Sequence, residues 1–384
     1  MKIAMVGQFP PHIGGVGVHI HSLAKELVKN GEEVYVITYP HKDIKNDSNQ
    51  GYMSYDGIKV IGTKGLNIAG LRSLFYVLLG TIQLIRLVRK ENIDIIHGHY
   101  LYPAGLIAVL AGIFTKKKVY VTSHGSDIFC LYPQYKFMQP IIRFVLKRAD
   151  VVLAVSVSLK EEILKFGVND IKDKVRLNWN TVDINEFYPI DSENSLIVSE
   201  NKNTDNFKDE LNIPENKPII LFVGNIIKRK NVATIIEAKK QLKSNCVLVV
   251  VGGGPLLANL KEKVEDEGIG DVIFTGPRND VANIIRSSDI LILPSYSESF
   301  GLVLIEALAC GKPVIGSNVG GIKEIITSDV GLLVEPTDPK GLANAIDSIL
   351  SDDNLRKKFQ LNARNRAMDF AEVDIPYYED IAKR

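Results

Sequence analysis

The strongest constraint on the fold is a rhythm. Short, β-branched apolar runs alternate with longer stretches of helical period, and the alternation runs twice along the chain. In the first half, strands are expected at Lys2–Val6, Val34–Thr38, Ile93–His97, Lys118–Thr122 and Val151–Val155. Helices are expected between them at Val16–Lys29, Leu74–Arg89, Pro103–Ile113 and Pro140–Lys147, the first stopped by Asn30-Gly31. Residues 191–217 change character. They are rich in Asn, Asp, Glu, Ser and Lys, and read as a surface excursion near a domain boundary with a short helix around Asn206–Leu211. The rhythm then restarts at Pro218–Val223 and runs to a last short strand at Gly331–Val334, with final helices at Pro339–Leu350 and Asn354–Phe370. Such alternation implies parallel sheets covered on both faces. Two Rossmann-like domains are expected, 1–189 and 190–365. Ligands of such sheets bind beyond the C-terminal strand ends, so a cleft between the domains is the expected substrate site.

Composition bounds the function. With 384 residues, 46% apolar and 24% charged, the chain is a globular protein of ordinary balance, not a disordered or disulfide-scaffold one. The net charge of +1 gives no bulk signal for nucleic acid. The charge is unevenly spread: residues 1–190 carry 23 Lys/Arg against 16 Asp/Glu, and the remainder 23 against 29. A basic first half beside an acidic second half suggests two units facing different partners, the basic one in peripheral contact with an anionic membrane through Lys116-Lys117-Lys118, Arg143, Lys147 and Arg148. Uneven solvation of two surfaces is the alternative. The apolar stretch Leu66–Val88 is broken by Arg72 and Arg86, and the 13 residues between them are too few to span a bilayer. It reads as a core-packed helix, or else as one resting on a membrane surface. Cys130, Cys246 and Cys310 form no CxxC pair, which fits a reduced, cytoplasmic setting.

Several loops carry chemistry. Gly14-Gly15, in the turn after the first strand, lets backbone approach a ligand at a helix N-terminus, although no GxGxxG spacing is present. His97-Gly98-His99 and Ser123-His124-Gly125-Ser126-Asp127 each follow a strand. Substrate contact, a metal set of His97, His99, His124 and Asp127, and plain structural bonding are the competing readings, with metal ranked last. Asn225 through Asn231 brings Lys228-Arg229-Lys230 between a strand and a helix, where a cation triplet suits an anion. Gly252-Gly253-Gly254-Pro255 permits another close backbone approach. The strongest segment is Pro294–Ala307. Glu298 precedes a helix and Glu306 lies inside it, within the apolar run Leu302–Ala309. A carboxylate there needs a partner. Sugar hydroxyls would satisfy it, and an ion pair is the alternative. Ser299, Phe300, Gly301 and Leu302 form the helix mouth, where free N–H groups can meet a phosphate or a sugar.

The Glu298–Glu306 pair with Ser-Phe-Gly between resembles the signature of retaining family 4 glycosyltransferases, which have the two-Rossmann GT-B fold. The order of the other motifs is similar along nearly the whole chain, including Asn180-Thr181-Val182-Asp183 ahead of the second domain. The resemblance implies a metal-independent transfer of a hexose from a nucleotide-diphosphate sugar to a carbohydrate or lipid-linked acceptor, with no cofactor and no nucleic acid, in cell-envelope glycan or glycolipid synthesis at the inner face of the membrane. It implies that Glu306 holds the ribose, Glu298 and His124 the donor sugar, and Lys230 the diphosphate. Gly15 would approach through backbone, Phe300, Gly301 and Leu302 would offer backbone donors, Arg278 would lie near the base, and a C-terminal helix over about 366–384 would pack back on the first domain. Where the family often has Arg this chain has Asn225, which leaves Arg229 as the candidate compensating cation. A nucleotide-sugar epimerase of the same fold and a metal-dependent hydrolase using His97, His99 and His124 are the rival readings.

Overall fold

The computed structural model describes residues 1–12, 14–41, 43–44, 51–63, 72–131, 138–190, 206–371 and Tyr378. Contacts divide the chain into two units, Met1–Asn180 with Val373–Arg384, and Thr181–Glu372. The first division falls before the expected 189/190. The segment after Asn180 is held by second-unit groups: Val182 N–H donates to the Phe370 carbonyl at 3.0 Å, and Arg364 donates to the carbonyls of Ile184 and Phe187. The second falls after the expected 365, because the helix Asp353–Met368 buries Phe359, Ala363 and Ala367 in the second unit. The excursion at 191–205 and the tail beyond Ala371, Tyr378 excepted, lie outside the described residues.

The first unit is an eight-stranded sheet ordered β3-β4-β2-β1-β5-β6-β7-β8. Its strands are β1 Lys2–Val6, β2 Glu33–Thr38, β3 Met53–Tyr55, β4 Ile58–Gly62, β5 Ile95–His99, β6 Lys118–Ser123, β7 Val151–Ala154 and β8 Val175–Leu177. Only β3, antiparallel on β4, departs from parallel pairing. Between β1 and β2 runs α1, Gly15–Lys29, burying Ile20, Leu23, Ala24 and Leu27 on its core face. Between β4 and β5 runs α2, Arg72–Glu91, and between β5 and β6 α3, Leu106–Thr115.

The second unit is a wholly parallel six-stranded sheet ordered β11-β10-β9-β12-β13-β14. Its strands are β9 Ile219–Val223, β10 Val247–Val251, β11 Val272–Gly276, β12 Ile290–Leu293, β13 Val314–Ser317 and β14 Gly331–Val334. Buried on both faces, β9, β10 and β12 read as near-continuous Val/Ile/Leu runs, which is why they stand out in the sequence.

In both sheets the order grows one way from the first strand and then reverses. The reversal lies between β1 and β5 in one unit and between β9 and β12 in the other. Loops leaving the C-terminal ends of strands on either side of such a reversal diverge and leave a crevice. Those loops are 7–14 and 100–105 in the first unit, and 224–231 and 294–301 in the second.

Candidate active site

In the second unit, β9 and β12 are neighbours, so the cation triplet and the Glu298 loop meet although 68 positions separate them. Lys228–Lys230 form one tight helical turn, closed by Asn231 in the left-handed conformation at φ 57°. The Asn231 amide donates to the carbonyls of Pro294 at 3.0 Å and Pro336 at 2.7 Å, and Tyr296 N–H donates to the Arg229 carbonyl at 2.8 Å. The two loops are therefore stitched together by the Asn231 side chain and a backbone bond before any ligand is considered. Lys230 Nζ forms a short ion pair with Glu298, and Arg229 lies 3.3 Å from the same carboxylate while donating to the Ser297 carbonyl at 2.9 Å. Glu298 is buried. Burial alone would raise its carboxyl, but Lys230 and Arg229 overcome this and hold it below the ordinary glutamate range.

The helix Leu302–Ala309 starts at Gly301, in the left-handed region at φ 107°, and no side chain caps it. Its first N–H groups are thus left for a ligand. Phe300 is buried edge-on against Phe370, with centroids 5.6 Å apart, and fixes the mouth from behind. Gly320 and Gly321 complete the loop. A Cβ on Gly320 would lie 2.0 Å from the Glu298 carbonyl oxygen, and one on Gly321 2.3 Å from that of Ser299. The sequence reading missed this glycine pair. Adjacent glycines after a strand were the available signal.

Glu306 is half-buried one turn from the end of that helix, and among the described residues it has no salt bridge or hydrogen-bonding side chain. The expected alternative of a structural ion pair is not what forms. Burial pushes its carboxyl up to about 7, with the nearby Glu186 charge adding to the effect. Arg278, by contrast, is fully engaged, forking onto Asp280 and pairing with Glu210. Gly252 and Gly254 stack the loop after β10 on the loop after β9. Their added Cβ atoms would fall 1.9 Å from the Gly224 oxygen and 2.4 Å from the Ile226 oxygen. Gly253 between them meets only Pro277, at 3.2 Å, and its carbonyl accepts from Ile226 N–H. Asn225 is exposed.

In the first unit the structure separates the competing readings of the histidines. His97-Gly98-His99 does not follow a strand but forms the end of β5. Asn92, at φ 54°, and Ile93, whose N–H donates to the Val88 carbonyl, are spent closing α2, so pairing with β1 begins at Ile3–Ile95. His97 leaves the metal set. One ring nitrogen contacts the Tyr378 hydroxyl and the other the Thr122 hydroxyl at 2.7 Å. Asp127 leaves it too, its carboxylate accepting from Leu101 N–H, the Ser123 hydroxyl and Gly125 N–H. The histidines that do converge are His19, His99 and His124, with one ring nitrogen of each within 4.8 Å of the others. His19, on the buried face of α1, was not singled out in the sequence. Burial holds all three imidazoles neutral, His19 down to about 4 and His99 and His124 well below the usual range. Gly14, at φ 155°, caps α1 without a side-chain bond, and a Cβ there would press on the Gln8 amide at 3.3 Å.

Family models for Glycosyltransferase Family 4 and Glycosyl transferases group 1 match residues 13–186 and 203–366. N-acetyl-alpha-D-glucosaminyl L-malate synthase of Bacillus anthracis is 32% identical over 97% of this chain and 94% of that protein. The chain belongs to the family 4 glycosyltransferases. Its fold is shared with solved structures: sucrose-phosphate synthase of Thermosynechococcus elongatus, at TM-score 0.80 and 23% identity with both chains fully covered, and Anabaena HepE solved with UDP-glucose, at 0.79 and 20% over 100% and 98%. The GT-B fold class and the glycosyltransferase activity expected from the sequence are thereby met. Among the described residues no helix is long and apolar enough to cross a membrane.

Proposed function

We propose that this glycosyltransferase moves a hexose from a nucleotide-diphosphate sugar to a hydroxyl of a carbohydrate or lipid-linked acceptor, with retention at the anomeric carbon and without a metal, in cytoplasmic glycan or glycolipid synthesis. The observation that carries the donor assignment is Glu306: a carboxylate in an apolar helix, raised to about 7 and without a cation. Two vicinal ribose hydroxyls donating to it would satisfy both oxygens and favour its ionised form. The uncapped N-terminus of the same helix faces the chain direction from which Ser299–Leu302 can donate to the donor.

As the sugar leaves, negative charge grows on the diphosphate. Lys230 and Arg229 supply the neutralising charge, with Arg229 standing in for the cation absent at Asn225. Glu298, released by the arriving phosphate from its pairing with them, turns to the sugar. Retention follows the family pattern, by front-face attack with the leaving phosphate taking the acceptor proton. Gly14, Gly15 and Gly253 offer backbone, and His124 offers a neutral imidazole to the sugar. Arg278 can reach a base only by giving up Glu210 or Asp280.

A thermal-shift panel of uridine, guanosine and adenosine diphosphates and their sugars tests the donor class. Product analysis by NMR, with and without acceptor and with chelator present, then tests the reaction. One donor family should stabilise the protein, and the product should keep the anomeric configuration in chelator. Isomerised donor sugar in the absence of acceptor would favour an epimerase instead. No stabilisation by any nucleotide sugar would end the proposal.

A further inference from the structure

The helix α2 is only half covered. Tyr76, Val77, Leu84 and Val88 face the core, yet Leu74, Leu78 and Ile82, recurring every fourth residue, are 62%, 54% and 39% exposed. At the end of the contacting helix α3, where Phe114 shares a cavity wall with Val88 and Arg89, Ile113 and Phe114 are 47% and 64% exposed. One turn further along α2 the exposed side chains become Arg86 and Arg89, and Lys116 and Lys117 follow α3 directly. Among the described residues none of these four cations has a carboxylate partner, whereas neighbouring Lys90 pairs with Glu91. A surface cavity of about 340 Å³ opens where the apolar and cationic zones meet, lined by Val88, Arg89, Asn92, Phe114, Lys116 and Lys117, with no acidic residue in its wall.

We propose that this face is the membrane-docking surface of the protein: the α2 stripe and Phe114 enter the headgroup boundary of an anionic bilayer, and the cavity holds a lipid phosphate between Arg89, Lys116 and Lys117. An apolar zone bordered by unpaired cations is the pattern of an interfacial helix, since apolar area supplies depth and cations supply preference for anionic lipid. Scattered exposed apolar residues are ordinary on a protein surface, but a stripe of three along one helix face that runs directly into cations is not. The Lys116–Lys117 pair had already suggested membrane contact in the sequence. The apolar half of the surface, and the cavity that joins it to the cations, had not. The inference rests on the proposed reading of a lipid-linked acceptor and deepens it by naming the surface that brings the protein to the lipid.

The test is flotation of the full chain with vesicles of phosphatidylcholine alone, or with about a third phosphatidylglycerol. No donor is added, so failure here leaves the transfer reaction untouched, and failure of the donor panel leaves this result standing. Binding should require the anionic lipid and weaken with salt. The triple variant Arg89→Gln, Lys116→Gln, Lys117→Gln should bind about 100-fold more weakly, at about tenfold or less per neutralised cation. The variant Leu78→Ser, Phe114→Ser should lose binding even at low salt, with an unchanged melting temperature showing that it still folds. The proposal is overturned if wild type ignores anionic vesicles at low salt, if both variants bind as wild type, if neutral vesicles bind equally well, or if millimolar inorganic phosphate displaces the protein at constant ionic strength, which would make the cavity a site for free anions. Oligomerisation through Leu78 and Phe114, lost in that double variant without any vesicle binding, would also overturn it in favour of a protein partner.

Discussion

The two units place their loops at the same topological point and fill it with opposite chemistry. At the β9/β12 reversal stand charged groups: Lys230, Arg229 and Glu298 within ion-pair distance, and the elevated Glu306 on the helix that follows. At the β1/β5 reversal stand three imidazoles held neutral by burial. On the proposed reading, one crevice is an electrostatic device for an anion. The other offers hydrogen bonds without net charge, which suits hydroxyls. A shared sheet order therefore sets where chemistry can be placed, and the loop residues decide which chemistry it is.

The sharpest way to break that contrast is to remove charge from the second unit. Lys230→Ala should lower turnover about 10³-fold, the scale of deleting a group that stabilises developing negative charge, as read by steady-state kinetics at saturating donor. Next comes Glu306→Ala, which should weaken donor binding about 30-fold in calorimetry, in line with lost hydrogen bonds to a charged group. His124→Ala should cost about tenfold in kcat/KM, because a neutral hydrogen bond is worth less. If it costs more than Lys230→Ala, the division of labour between the units is wrong.

The smaller effects concern protons. A carboxyl near 7 is half ionised at neutral pH, and hydroxyl donors favour the ionised form. Donor binding at pH 7 should then release about half a proton, visible as a dependence of the calorimetric heat on buffer ionisation enthalpy, and Glu306→Gln should abolish the release. In the first unit the sign runs the other way. Imidazoles depressed in the folded state are protonated more readily once unfolded, so their contribution is complete above about pH 6.5 and is lost as pH falls below it. Melting temperature should fall between pH 6.5 and 4, and His19→Gln should flatten that slope.

Much of this was legible in the sequence, and the misses have physical causes. Fully buried parallel strands announce themselves by unbroken Val/Ile/Leu runs, and Glu306 stands out because its neighbours are apolar. Pairing of Lys230 with Glu298 was not legible, since it depends on β12 lying beside β9 instead of extending the sheet past β11. The metal reading took His97 and Asp127 for free groups because their partners, Tyr378 and the Leu101 and Gly125 N–H groups, are close only in the fold. His19 was passed over because one histidine on a helix lined by Ile20, Leu23 and Leu27 reads as an ordinary core neighbour. The short strand β3, half polar and only three residues long, carried no apolar signal at all.

Tyr378 has a consequence for biogenesis. Its ring is wholly enclosed in the core of the first unit, and its hydroxyl meets His97 on β5. The amino-terminal half of the polypeptide must therefore wait, with a gap beside that strand, until the ribosome has passed residue 378. A chain stopped anywhere before Tyr378 would leave the unit made first with the hole.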